Sequence, residues 1–598
     1  MRQLIHGAIA AKYAESLLVV GLLALLLLQV WSSSTRINML ADEGTHLASG
    51  YSYWISRDFR LNQEHPPLVK LVGALPLLIK GLATQQSWPI FLSAPDWDAI
   101  APNQWLFAET LLHMENRPQF RGNLEAARRA VSIFVLIMAL CIYFMSRRLF
   151  GVAGGMISLL VVVFNPDILA HAGLITTDMA MATFYFGTTV ALWWYFQRPS
   201  IWKLMAVGLM LGLGLACKYS NLLLLPLLVT MVAVICGFKL AGNDQPSNRH
   251  NPFGAGSPGQ RFYHVCLAIV IVLATSAIVL WSGYLFTDPF VQYWKSYRLL
   301  YSNISEGYQY FLLEHYAPRF WNYFLVTIAL KTPLSLWVLS VPALAAYWLC
   351  WRKSLSVMTK LVLIMPPLLL LVVMSMKAMN MGHRYVLGIY PYGFVLVGMT
   401  SYWLKKPLKK SAAGVALLVV FALAVYVYGG LRAYPFYISY SNALVASDHD
   451  FIECLDDSNT DWGQGWLEVA RIQKEEQLYP LYVTPYGMGE YFLGGASGKW
   501  QMVNPFSETP PSPGYYAMSS NLYIRNRDTS RLSGIKIPLL EDYRPWRIIA
   551  GGIVLIEVPP PGQKGGKVKV IHSNRFKYAD LKEKGRYIWR LMPPSKKV

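Results

Sequence analysis

The chain has 598 residues, of which 54% are hydrophobic and only 14% charged. That composition excludes an ordinary soluble enzyme and fits a polytopic membrane protein carrying a smaller soluble part. The formal net charge of +20 does not mark a nucleic-acid binder, because the lysines and arginines are spread over short segments between apolar runs instead of gathered in one patch.

In chain order, the first apolar run, Leu17 to Val30, is followed by Ser32-Ser33-Ser34, a pattern shared with cleaved signal peptides. The many later spans, and the acidic stretch directly after this run, favour a retained anchor. Windows of about 20 apolar residues predict about eleven spans, near 14–32, 127–146, 151–170, 179–197, 204–217, 221–238, 264–286, 324–350, 357–375, 385–404 and 412–430. The loops this count puts on one side carry Arg147 and Arg148; Arg198 and Lys203; Lys239, Arg249 and Arg261; Arg352, Lys353 and Lys360; and Lys405, Lys406, Lys409 and Lys410. By the positive-inside rule that side, with the amino terminus, is cytoplasmic. The region after about residue 430 is then extracytoplasmic.

Four cations break the pattern: Lys218, Lys331, Lys377 and Arg384 fall at outer ends of spans. Each is able to snorkel to lipid headgroups; together, near acidic residues, they favour an anionic ligand such as a phosphate. Two outer segments are long. The first, 33–125, is broken by Gly50, Pro66-Pro67 and Pro76, and its short apolar stretches, such as Leu68 to Ile79, predict helices lying in the interface. The second, 287–323, is rich in tyrosine and tryptophan, which fits an aromatic belt or stacking on a sugar ring.

Beyond Leu431 the sequence predicts a small α/β domain, with strand-like runs at Leu481–Thr484 and Ile553–Ile556, a helix around Trp466–Glu476, and a hairpin at the Gly-Gly pair inside Ile548–Glu557. The expected division is a transmembrane domain over 1–430, an extracytoplasmic α/β domain over 431–562 and a basic tail over 563–598. The six cysteines form no disulfide framework or CxxC motif.

Ionisable residues kept at the edge of hydrocarbon are costly and point to function. Asp42 follows the first span directly, with Glu43 beside it and His46 one helical turn on. A carboxylate there is able to take a proton from a hydroxyl nucleophile; a helix N-cap fits Asp42 equally well. In Glu64-His65-Pro66-Pro67-Leu68 two prolines force an extended turn that aims Glu64 and His65 in a fixed direction. Asp178 opens the fourth span on the same face.

With these residues the chain resembles the GT-C class of membrane glycosyltransferases, specifically relatives of the protein O-mannosyltransferases and of the lipid A aminoarabinose transferase (glycosyltransferase family 39-like). Asp42-Glu43 is similar to the acidic pair of that class's first outer loop, Glu64–Leu68 to its HPPL or KPPL element and Asp178 to its second-loop aspartate. Gly382-His383-Arg384-Tyr385-Val386-Leu387-Gly388-Ile389-Tyr390-Pro391 resembles a GxRYxLPxYP stretch, with Gly388 where proline is usual, and Asp457-Ser458-Asn459-Thr460-Asp461-Trp462-Gly463-Gln464 resembles a DSNxDWGQ stretch of bacterial members.

The resemblance implies a GT-C fold in a bacterial plasma membrane. It also implies inverting transfer of a hexose or pentose from a polyprenyl-phosphate-linked sugar to an acceptor protein, lipid or glycan. On that reading Asp42 is the general base, Glu43 and Asp178 orient acceptor or sugar, and Glu64 and His46 help to orient substrate. Arg384, with Lys331 and His65, binds the donor phosphate. The metal requirement stays open: some members of the class bind a divalent ion, and Asp42, His46, Glu64 and His65 are chemically able to hold one. Two rival classes remain, a transporter or flippase for an anionic or lipid-linked substrate and a non-catalytic assembly subunit.

Overall fold

The structure is a computed structural model that describes residues 2–92, 104–237, 258–302, 308–377, 379–405, 410–486, 493, 496–504, 506–507 and 509–562. The expected basic tail 563–598 and the loop cations Lys239, Arg249, Lys406 and Lys409 lie outside the described residues.

Among the described residues, six helical segments are long and apolar enough to cross a membrane: 10–34, 117–163, 262–283, 334–354, 357–377 and 412–432. One of them contains two expected spans. The helical run Ile133–Val163 reverses at Gly151, whose φ of 81° and ψ of −178° are not helical. Ser158 Oγ donates to Ser146 Oγ at 2.8 Å, whereas twelve residues of continuous helix span about 18 Å. Only glycine adopts this backbone without strain, so Arg147-Arg148 sit at the tip of a tight hairpin.

The remaining expected spans are helical but short, interrupted or less apolar. Thr177–Gln197 is buried along almost its whole length, so it meets protein on all sides and tolerates threonines, which bond within the helix: Thr183 Oγ1 donates to Met179 O and Thr188 Oγ1 to Phe184 O. Ile201–Leu215 packs on the helix Pro258–Gly283 through Gly208 and Gly212. A Cβ at either glycine would stand 2.8 Å from a carbonyl oxygen of that helix, the close approach that small residues four apart allow. The expected single span 324–350 is broken at Thr332-Pro333 into Tyr323–Lys331 and Leu334–Ala346, because proline removes a helical donor and restricts the residue before it.

The first connecting segment folds into a pair of packed helices, Ala41–Ser56 and Leu68–Lys80. Trp54 Nε1 donates to Leu71 O across the pair at 2.9 Å. The expected short helix at Leu68–Ile79 is therefore observed.

Towards the C-terminus lies a five-stranded sheet in the order β4-β3-β5-β7-β6, formed by Leu481–Thr484 (β3), Trp500–Met502 (β4), Gly514–Ser519 (β5), Pro545–Ile549 (β6) and Ile553–Val558 (β7). β3 pairs in parallel with β4 and β5, while β7 pairs antiparallel with β5 and β6. Alternation sends Tyr516, Met518, Val554 and Ile556 to a core shared with the helix Ser520–Ser533, and Ala517, Ile553 and Leu555 to one shared with Trp466–Glu476. The expected helix and hairpin are both present. A second hairpin, Tyr310–Leu312 (β1) with His315–Ala317 (β2), comes from the aromatic segment 287–323 and seats Phe311 in the first of these cores.

Candidate active site

Asp42 lies in the first turn of Ala41–Ser56, but it is not the cap. Leu40 holds that position, and its N–H donates to Glu43 Oε2 at 2.9 Å, the back-bond of an acid three residues into a helix. The Asp42 carboxylate instead meets Arg384, with Nη1 to Oδ2 at 3.1 Å, and keeps 31% of its side chain exposed.

Successive residues on a helix point about 100° apart, and Glu43 accordingly faces inward. Its carboxylate accepts from Arg128 Nε (2.9 Å) and Nη2 (2.5 Å), from the Ile175 N–H (3.1 Å) and from the Leu40 N–H. Both side chains of the Glu43–Arg128 pair are fully buried. Glu43 thus ties the helix carrying Asp42 to the helix Phe120–Val131 and to the approach to Asp178, with its acceptor sites filled and none turned towards Asp42.

Asp178 opens Thr177–Gln197 behind the N-cap Thr176. Lys218 Nζ donates to its Oδ1 at 2.6 Å, and Arg384 Nη1 stands 4.0 Å from its Oδ2. Lys218 also lies over the Tyr385 ring, 4.6 Å from its centroid. Asp42, Arg384, Asp178 and Lys218 therefore alternate in charge across four separate segments of chain. Arg384 follows Gly382 at the start of a 3₁₀ turn, rests on the Trp462 ring at 4.1 Å, and among the described residues its Nε has no hydrogen-bond partner.

The Pro66-Pro67 turn forms the next wall. Lys70 Nζ donates to Asn62 O (2.5 Å) and His65 O (2.7 Å), clamping the turn from behind; burial pushes this ammonium down to about 7. His65 meets His46 edge to face at 5.6 Å between ring centroids. Burial first, then the charges of Lys218, His46 and Lys70, holds the His65 ring well below its ordinary titration range, and among the described residues its Nδ1 has no partner. Glu64 is exposed at its edge, and desolvation with the Asp42 charge raises its carboxyl.

His46 Nδ1–H donates to Ile175 O at 2.7 Å, and burial lowers the ring to about 4. Between that value and the ordinary 6.5 the unfolded chain binds the extra proton and the folded chain does not, so stability rises with pH through this interval and is lost as pH falls from 6.5 towards 4. Thermal unfolding midpoints in detergent across this range are expected to drop on acidification, with a shallower drop in His46→Phe. A slope unchanged by the substitution would remove His46 as its source.

Lys331, expected at the phosphate, is differently occupied. Its ammonium donates to Ile438 O (2.7 Å), Tyr440 O (3.1 Å) and Asn459 O (3.3 Å) and lies 4.0 Å from Asp167. It braces the break at Thr332-Pro333 against the chain that leads towards the C-terminal sheet. Lys377 is exposed, as snorkelling requires. Lys70, Arg128 and Trp462 enter as residues to which the sequence assigned no role. Lys70 was detectable as a lone cation in an apolar helical run.

Among the described residues no group of three or more His, Cys, Asp or Glu side chains gathers as a metal site. His46 donates from Nδ1 to a carbonyl and Asp42 faces a guanidinium.

Residues 120–240 match the family model of dolichyl-phosphate-mannose-protein mannosyltransferases. No curated protein matches the sequence. Among solved structures, ArnT from Cupriavidus metallidurans in the apo state is similar over 91% of this chain and 98% of its own, at 14% identity and a TM-score of 0.44. The archaeal oligosaccharyltransferase AglB from Archaeoglobus fulgidus, in complex with an inhibitory peptide and a dolichol-phosphate, is similar over 90% of this chain and 73% of its own, at 11% identity and a TM-score of 0.45. The match over 120–240 covers Asp178 and Lys218, so this segment of the chain resembles the protein mannosyltransferases.

Proposed function

We propose that the protein transfers a sugar from a polyprenyl-phosphate carrier to an acceptor hydroxyl or phosphate on the extracytoplasmic face of the membrane, with its amino terminus cytoplasmic. The observation that carries this reading is the partly open Asp42 carboxylate held 3.1 Å from Arg384, beside the buried Asp178–Lys218 pair. The matched family's name, with its dolichyl-phosphate-mannose donor, supports the lipid carrier.

The acceptor's proton passes to Asp42 as its oxygen attacks the anomeric carbon. The bond from that carbon to the carrier phosphate oxygen breaks with inversion, and the phosphate leaves with the electron pair. Arg384 and Lys218 are the cations placed to meet that charge, and a neutral His65 is able to donate a hydrogen bond to it. Asp178 holds Lys218 in place. Glu43 acts through the fold, by fixing the turn that presents Asp42.

Arg384→Ala tests the phosphate assignment. Loss of a charge-assisted contact worth about 1.5–3 kcal/mol is expected to weaken binding of a polyprenyl phosphate by roughly ten- to hundredfold, measured by titration of the protein in lipid nanodiscs. An unchanged affinity would remove Arg384 from the donor site.

A further inference from the structure

The stretch Asp457–Gln464 leads into the helix Trp466–Glu476 that packs on the C-terminal sheet, and it bonds to the backbone just before Asp42 and just before Arg384. On one side the Ala41 N–H donates to Trp462 O at 3.1 Å, immediately before Asp42, and the Asn38 N–H donates to Gln464 O at 3.1 Å. On the other side the His383 N–H donates to Asn459 Oδ1 at 2.9 Å, immediately before Arg384, and Ser458 Oγ donates to Met381 O at 2.8 Å. Gly382 between them has φ +123°, and a Cβ there would stand 2.0 Å from Ser458 Oγ. The stretch is itself braced: the Trp462 N–H donates to Gln464 Oε1 (2.8 Å), Gln464 Nε2 to Thr460 O (2.6 Å) and Asn521 Nδ2 to Asp461 O (2.8 Å). At its centre the buried Trp462 ring lies 4.1 Å from Arg384 Cζ.

We infer that Trp462 is a positioning residue for Arg384 and that the C-terminal domain is thereby a working wall of the active site. The inference rests on the reading of Arg384 as the donor-phosphate cation. A guanidinium held against an indole ring has its orientation restricted while its N–H donors stay available. Here Nη1 reaches Asp42, and Nε has no partner among the described residues. A guanidinium fixed in this way meets an incoming phosphate without the loss of side-chain freedom that a solvated arginine incurs.

The test is binding of undecaprenyl phosphate to the full-length protein in lipid nanodiscs, with thermal unfolding measured in parallel. Trp462→Leu is expected to weaken affinity roughly ten- to thirtyfold, the range of a desolvated cation–π contact, and Trp462→Phe to recover part of it. In an Arg384→Ala background, Trp462→Leu should cost nothing further, because its effect runs through the arginine. Wild-type affinity in the Leu variant, or equal losses in Leu and Phe, would overturn the inference, as would full additivity with Arg384→Ala. If Leu fails to fold, Phe alone and in the Arg384→Ala background gives the same decision. A wild-type protein that binds no undecaprenyl phosphate would instead fail the donor reading on which the inference rests.

Discussion

Asp42→Asn is expected to lower turnover by about two to four orders of magnitude, the usual contribution of a positioned general base, while leaving the protein folded. Asparagine has the same shape and its amide oxygen still accepts from Arg384, so the start of the Ala41–Ser56 helix, fixed by Leu40 and Glu43 rather than by Asp42, is not disturbed. What is lost is the proton acceptor and one negative charge. The Arg384 guanidinium, 3.1 Å from Asp42 in the wild type, then keeps its full charge for the donor phosphate, and donor affinity should hold or tighten. Single-turnover kinetics beside donor titration separate the two effects. A variant with normal turnover would make Asp42 an ordinary ion-pair partner of Arg384, and one with weakened donor binding would make it part of the phosphate site.

Arg128→Ala is expected to destabilise the fold by about 3–5 kcal/mol, because it leaves the buried Glu43 carboxylate without its countercharge. Glu43→Gln should also destabilise. Four N–H groups converge on the two carboxylate oxygens, Arg128 Nε and the Ile175 N–H on one, Arg128 Nη2 and the Leu40 N–H on the other. An amide nitrogen at either position sets donors against donors. Unfolding midpoints report the loss, and turnover per folded molecule should stay near wild type at low temperature. A Glu43→Gln protein that is fully folded and inactive would return Glu43 to the chemistry, the role its neighbour Asp42 holds here.

These two neighbours show how far the sequence could be read. Asp42 and Glu43 carry the same signal, two acids after an apolar run, and only the helical rotation between them, with Arg128 arriving from 85 residues away, assigns one to the cleft and the other to the interior. Arg384 and Lys331 were equally alike, as cations at the predicted outer ends of spans. Charge position finds such residues but does not distinguish a ligand from three backbone carbonyls, and Lys331 proved to be held by carbonyls. Hydropathy located the helical segments well, because burial in lipid or protein imposes length and composition. It did not reveal that Thr177–Gln197 is enclosed by other helices or that proline would split 324–350. In the C-terminal sheet, local turn chemistry at the Gly-Gly pair made the β6–β7 hairpin legible. The order of the strands, and the contacts of Trp462 with residues more than 75 positions away, depend on tertiary pairing that no local pattern encodes.

The most direct test of glycosyl transfer through Asp42 is an assay of the purified protein in lipid. It offers radiolabelled polyprenyl-phosphate sugars together with native membrane and protein extract as acceptor, for the wild type and for Asp42→Asn. Label moved to an acceptor by the wild type and not by the variant is the predicted result. Equal labelling by both, or none by a folded wild type that binds the donor, would contradict it.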